Sequence, residues 1–235
     1  LVPMCDTGRM QHRSDTWVVI PAFNEAPVIG GVVAGVRTLF PHVLVVDDAS
    51  TDNTAALARA AGAYTATHPL NLGQGAALQT GFEAVAARGA RYVVTFDADG
   101  QHDPADAAAM LHRACEEDLA FVLGSRFRDG ATAQVGSVKH AMLRLGALIA
   151  RLRTGMALTD THNGLRVIRA DALAQVHLTH SRMAHASQIV SQLAACGLPG
   201  AEHPVTISYT DYSRAKGQPL LNSVNIAVDL ALGGR

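Results

Sequence analysis

The chain has 235 residues, 49% hydrophobic and 17% charged, with a formal net charge of -1. This composition supplies one sizeable core and excludes an intrinsically disordered chain. It also excludes the strongly basic surface that binds nucleic acid. Cys5, Cys115 and Cys196 are scattered without a CxxC pair, and the 11 histidines form no HExxH, so neither a disulfide framework nor a zinc site is expected.

Residues 1–16 are polar and carry no apolar segment of a secretory signal, so they are expected to form a disordered N-terminal segment. Residues 17–235 are expected to form a single domain. No run of about eighteen uncharged apolar residues occurs, so no transmembrane helix is predicted.

In chain order, residues 16–20 predict a buried strand that breaks at Pro21-Ala22-Phe23-Asn24-Glu25. A helix is expected from Glu25, with Val28, Ile29, Val32, Val33 and Val36 on one side. A second strand over 42–46 ends in Asp47-Asp48, and Ser50 or Asp52 is expected to cap a helix over 54–61. A strand over 63–67 leads through Asn71-Leu72-Gly73-Gln74-Gly75 into a helix over 75–88. A strand over 92–96, a helix over 104–114 and a strand over 119–124 follow. Strand and helix alternate through short connections, which implies a mostly parallel sheet covered on both faces. Beyond residue 125 simple alternation stops. A loop over 125–136, a helix over 137–153, a turn over 160–164, a helix over 182–195, a strand over 205–209 and a terminal helical piece are expected.

Tyr92-Val93-Val94-Thr95-Phe96-Asp97-Ala98-Asp99-Gly100-Gln101-His102-Asp103-Pro104 organises the chemistry. A buried strand ends in two carboxylates one residue apart, at the sheet edge where open α/β folds bind ligands. Two acids so close repel each other unless a cation lies between them. A divalent metal with oxygen ligands suits Asp97, Asp99 and Gln101. The competing reading is that these acids only cap the next helix. Pro21-to-Glu25, Asp47-Asp48 and Asp97-x-Asp99-x-Gln101 lie along one edge. That arrangement suits a nucleotide, with base and ribose on the first two loops and diphosphate and metal on the third.

Together these segments resemble the family two glycosyltransferases of the GT-A fold, in the branch of the dolichyl-phosphate mannose and glucose synthases. The carrying residues are Val18-Val19-Ile20-Pro21-Ala22-Phe23-Asn24-Glu25, Val45-Val46-Asp47-Asp48-Ala49-Ser50-Thr51-Asp52, Asn71-x-Gly73-x-Gly75, Asp97-Ala98-Asp99-Gly100-Gln101-His102, Gly124-Ser125-Arg126 and Asp160-Thr161-x-Asn163-Gly164-Leu165-Arg166. The resemblance implies a Rossmann-like GT-A sheet, with 17–124 as the nucleotide-sugar half and 125–235 as the acceptor half. It implies Mg²⁺ or Mn²⁺, a UDP- or GDP-hexose donor, and an inverting transfer to a polyprenyl phosphate or another cell-envelope glycan acceptor. Pro21, Phe23, Glu25, Asp48, Gly73, Asp97 and Ala98 would contact the nucleotide sugar, and Asp97, Asp99 and Gln101 the metal. Phe23 stands where the family more often has tyrosine, and Asn163 where a small hydroxyl residue is commoner.

A phosphate acceptor is already ionised near neutral pH and needs cations, for which Arg126, Arg128, Arg166 and Arg214 are the candidates. An alcohol acceptor needs a base, and Asp160 is then the candidate beside Asp99 and Arg126 in the catalytic set. Tyr212-Ser213-Arg214-Ala215-Lys216-Gly217-Gln218 resembles a basic loop that closes on the diphosphate through Lys216. Gly73 and Gly75 are also read as a phosphate-cradling turn.

The 137–153 helix bears an apolar stripe flanked by Lys139, His140, Arg144, Arg151 and Arg153. It suits a membrane surface carrying anionic lipid, or equally the core or a second subunit. A cytoplasmic chain, peripheral on the inner membrane face, is the matching expectation. Two rival readings are an aspartyl-phosphate phosphatase of the haloacid-dehalogenase type, from Asp97-Ala98-Asp99-Gly100, and a non-catalytic nucleotide-sugar-binding subunit.

Overall fold

A computed structural model describes residues 14–127, 158–160, 163–179, 184–208 and 212. The expected helix over 137–153, the terminal helical piece, Arg128, Arg214 and Lys216 lie outside the described residues.

The strands are β1 (Thr16–Ala22), β2 (His42–Asp47), β3 (Tyr64–Thr67), β4 (Tyr92–Thr95), β5 (Phe121–Ser125), β6 (Arg166–Arg169) and β7 (Gly200–Pro204). They form one sheet in the order β3-β2-β1-β4-β6-β5-β7. β6 runs antiparallel to β4 and β5, while β1 to β4 pair in parallel and β5 pairs in parallel with β7. The order reverses at β1, so the chain winds outward first to one side and then to the other. The mostly parallel, helix-flanked sheet is the one expected.

The helices are α1 (Ile29–Arg37), α2 (Thr54–Ala60), α3 (Gln74–Ala86), α4 (Pro104–Glu116), α5 (Ala170–Leu173) and α6 (Ala184–Ala195). Alternate residues of each buried strand serve the two faces. Val18, Ile20, Val43, Val45 and Val94 pack with Ile29, Val33 and Val36 of α1 and Met110 and Leu111 of α4. Trp17, Val19, Leu44, Val46 and Val93 pack on the other face with Leu78, Phe82 and Val85 of α3 and Ile189, Val190 and Leu193 of α6. Burying such side chains stabilises the fold by about 1.5–3 kcal/mol each.

Local departures have local causes. α1 starts at Ile29 because Glu25 spends its carbonyl on a turn, accepting from Val28 N and Ile29 N. Neither Ser50 nor Asp52 is the N-cap of α2; that residue is Asn53, without a side-chain cap bond. Ser50 Oγ instead accepts from Asn24 N at 2.9 Å, and Asp52 accepts from Ala26 N at 3.1 Å. The polar residues of the second loop therefore stitch it to the first. Among the described residues the last strand is Gly200–Pro204, where 205–209 was expected, and β6 and α5 appear where none was expected.

Candidate active site

The carboxyl ends of β1, β2, β4, β5 and β7 share one edge of the sheet. Because β6 is antiparallel, its first residue, Arg166, joins them there; it pairs in register with Thr95 and Leu123.

Asp97 and Asp99 follow β4 directly. Neither caps α4, because Asp103 does so, its side chain accepting from Ala105 N at 2.8 Å with Pro104 at the first helical position. Asp97 is held on both oxygens: Oδ2 by His102 Nε2 at 2.9 Å and Oδ1 by Gln74 Nε2 at 3.2 Å. Gly164 packs against the same carboxylate, and a Cβ there would come within 2.5 Å of Asp97 Cγ and Oδ1. Asp99 Oδ1 accepts from Gln101 N at 3.0 Å.

The two acids are pushed apart electrically. Burial raises the Asp97 carboxyl, but the His102 hydrogen bond and the charges of His102, Arg166 and His185 outweigh it and hold Asp97 below the usual carboxylate range. Asp99 is raised, first by burial, then by the negative charge of Asp97, with Glu25 adding to it. An anion destabilised by its anionic neighbours, carrying hard oxygen donors, fits a divalent cation. Among the described residues no group of three or more His, Cys, Asp or Glu is arranged to hold a metal ion.

The expected nucleotide contacts divide. Phe23 presents an exposed ring, 41% accessible. Glu25 is buried and accepts from the Tyr212 hydroxyl at 2.8 Å. Burial, then Glu25, with Asp52 and Asp99 behind it, push the Tyr212 phenol up to about 12. Pro21, by contrast, is a buried member of β1 opposite Val46, and Ala98 packs its methyl into the core. Asp48 is engaged internally: Oδ1 meets His68 Nδ1 at 2.7 Å and Leu72 N at 2.9 Å, and Oδ2 meets Gly73 N at 2.6 Å. Of the turn read as a phosphate cradle, the Gly73 amide is therefore occupied by an aspartate. Gly73 adopts φ 93 at the start of α3, a left-handed conformation that favours glycine. His68 Nε2 in turn meets Thr80 Oγ1 at 2.9 Å, so this clasp is braced from α3.

On the other side, Arg126 and Asp160 form a two-pronged ion pair. Asp160 Oδ2 accepts from Arg126 Nε at 2.6 Å and Oδ1 from Nη2 at 2.8 Å, while Arg126 N also donates to Oδ2 at 3.1 Å. The Asp160 carboxylate, proposed as a base for an alcohol acceptor, is instead wholly buried against a guanidinium. Arg166 is not on the acceptor surface either. It is among the largest fully buried side chains, and its charge interacts with those of Asp97 and Asp160. Burial pulls its pKa down and those two carboxylates pull it back up, so it acts as an internal counter-charge. Its Nη2 atom is buried without a hydrogen-bond partner, as are Asn163 Nδ2 and His102 Nδ1.

Sequence reasoning missed His185, Gln74, His68 and the role of Tyr212. Only His102 carried a signal, its place beside the acid pair; the others meet the site across long stretches of chain.

The model of the family described as Glycosyl transferase family 2 matches residues 17–176. A UDP-N-acetylglucosamine–dolichyl-phosphate N-acetylglucosaminyltransferase of Methanococcus voltae is 29% identical over 222 residues, covering 86% of this chain and 88% of that protein. An undecaprenyl-phosphate mannosyltransferase of Micrococcus luteus is 34% identical over 168 residues, 68% of each chain. A polyprenol monophosphomannose synthase of Mycolicibacterium smegmatis is 31% identical, covering 74% of this chain and 69% of that one. Among solved structures, glucosyl-3-phosphoglycerate synthase from Mycobacterium tuberculosis, in complex with Mn²⁺, UDP and phosphoglyceric acid, superposes with a TM-score of 0.71. It covers 95% of this chain and 78% of that one at 20% identity, a likeness of fold.

Proposed function

This chain belongs to glycosyl transferase family 2 and is a glycosyltransferase, and from that premise we propose that it moves a hexose from a nucleoside-diphosphate sugar to a polyprenyl phosphate. The observation that carries the acceptor class is the Arg126–Asp160 pair. An alcohol acceptor needs a side chain to take its proton, and the carboxylate offered for that task is committed to a guanidinium. A phosphate monoester, with a second pKa of about 6, arrives as its own nucleophile and needs a cation to position it. Arg126, fixed by Asp160, meets that need.

On the donor side, Phe23, an exposed aromatic residue, would stack on the base, and Glu25, now accepting from the Tyr212 hydroxyl, would accept from a base or ribose donor in its place. Asp97, Asp99 and Gln101 would hold Mg²⁺ or Mn²⁺, as two carboxylates and an amide suited to a hard cation. When bound, the cation supplies positive charge to the departing diphosphate. His102 and Gln74 keep Asp97 oriented, and Arg166 keeps its charge compensated from behind. The acceptor oxygen attacks the anomeric carbon from the face opposite the leaving diphosphate, which inverts that carbon; the inversion follows from the family resemblance. Relatives named for dolichyl, polyprenol and undecaprenyl phosphates support the acceptor class. Lys216, Arg128 and Arg214 are proposed as further cations for the two phosphates. The lipid acceptor would be met at a membrane surface, where the basic residues flanking the apolar stripe of 137–153 suit anionic lipid.

The test is a panel of UDP- and GDP-sugars with undecaprenyl phosphate, with and without Mn²⁺, read as nucleoside diphosphate release. Release that needs both the metal and the lipid phosphate is expected. Release with alcohol acceptors but not with lipid phosphate would overturn the reading.

A further inference from the structure

We propose that Glu202 is a positioning residue for the acceptor side: through the 159–160 backbone it fixes the orientation of Arg126. The proposal rests on the reading of Arg126 as the cation that receives the acceptor phosphate.

Glu202 sits in β7, the edge strand, opposite Leu123 of β5. A glutamate in an edge strand ordinarily faces water, yet this one is 3% exposed. Its carboxylate is used on both oxygens. Oε1 accepts from Thr159 N at 2.7 Å and Asp160 N at 3.0 Å, and Oε2 accepts from Thr159 Oγ1 at 2.9 Å. Arg113 Nη1 donates to the Glu202 carbonyl at 2.7 Å and ties the same residue to α4.

Proton counting gives this network a direction. An ionised carboxylate only accepts, so the single Thr159 hydroxyl proton goes to Glu202. The 2.6 Å contact between Ser125 Oγ and Thr159 Oγ1 must then be donated by Ser125, whose oxygen accepts in turn from Phe127 N at 3.2 Å. Both chain neighbours of Arg126 are thereby anchored to Glu202 through Thr159. Arg126 itself is anchored through Asp160, whose backbone N–H the same carboxylate holds. The guanidinium reaches the site in one orientation because a buried acid, 42 residues along the chain from Asp160, holds the bend it leans on.

Glu202→Gln keeps the shape but replaces one acceptor oxygen with an N–H₂ donor. The amide oxygen stays on the two backbone N–H groups, which cannot reverse, so the N–H₂ faces the Thr159 hydroxyl, which loses its acceptor, and the relay through Ser125 loses its direction. Ser125→Ala cuts the relay without changing a buried charge, and serves should Glu202→Gln fold poorly. Three quantities are measured on each variant and on Arg126→Ala: KM for undecaprenyl phosphate, binding of farnesyl phosphate by calorimetry, and binding of UDP with Mn²⁺.

The expected result is an acceptor KM and a farnesyl phosphate Kd raised about tenfold in Glu202→Gln, as for other residues that orient a ligand-binding group, with UDP–Mn²⁺ binding unchanged. In the Arg126→Ala background, Glu202→Gln adds nothing further to the acceptor KM, the non-additivity expected of residues acting in series. Equal losses at both ligands, or a lowered Tm alone, would overturn the proposal by making Glu202 a general structural residue. An acceptor effect in Arg126→Ala but none in Glu202→Gln or Ser125→Ala would overturn it while leaving the role of Arg126 standing. No acceptor effect in Arg126→Ala would remove the reading beneath it as well.

Discussion

Gly164→Ala tests the geometry of the acid pair most directly. The new methyl would overlap the Asp97 carboxylate, within 2.5 Å of Cγ and Oδ1. The backbone at Gly164 needs no left-handed φ, so the whole cost falls on that contact. Two escapes exist. Asp97 can swing away, giving up His102 at 2.9 Å and Gln74 at 3.2 Å, or the bend can lift, giving up the Thr95 Oγ1 bond to the Gly164 carbonyl at 2.6 Å. Hydrogen bonds to charged groups contribute about 1.5–3 kcal/mol. The Asp97 side chain keeps 30% of its exposure, which argues for the lower end. A loss of about 2 kcal/mol corresponds to roughly 4–8 °C in Tm for a chain of this size. Displacing a group that orients a metal ligand commonly costs about 10–100-fold in affinity. Thermal melting and calorimetric titration of UDP with Mn²⁺ read the two effects separately. A variant that melts and binds like the parent would refute the claim that this close approach sets the position of Asp97.

Asp99→Asn should remove most turnover and weaken Mn²⁺ binding by at least tenfold, since it deletes a charged oxygen ligand; unchanged turnover would contradict the metal assignment. Because burial and Asp97 raise the Asp99 carboxyl, protons compete with Mn²⁺ at a higher pH than for an ordinary aspartate. Mn²⁺ affinity should therefore fall with decreasing pH starting above the usual carboxylate range, and a titration flat down to pH ~4 would speak against it. Asp160→Asn should raise the acceptor KM while keeping much of kcat. A kcat loss of about 10²–10⁴ with KM unchanged would restore Asp160 as a base. Gly31→Ala, on the exposed side of α1 with open space around the added methyl, should stabilise the fold by about 0.5–1 kcal/mol in denaturant melts.

The alternation of buried strands and helices, and the acids at the ends of β2 and β4, were legible in the sequence because both are local signals. Strand runs, turn residues and helix periodicity depend on neighbours a few positions apart, so the mostly parallel sheet and its polar edge could be read directly. The start of α4 at residue 104 was read in the same way, whereas Asp103 as its cap emerged only with the structure. What depends on pairing across the chain could not be read that way. Four residues, Arg166 to Arg169, gave no strand signal between their arginines, yet insertion between β4 and β5 makes them β6 and buries Arg166 beside Asp97. That Asp48 also accepts from Leu72 N and Gly73 N, more than twenty positions on, was not readable either. Asp160 looked like a base until Arg126 reached it from 34 positions away. A charged side chain has the same sequence signature whether it meets solvent, substrate or another charge. Only the tertiary fold chooses among them, because that choice depends on which groups share a low-dielectric space and not on which are neighbours in the chain.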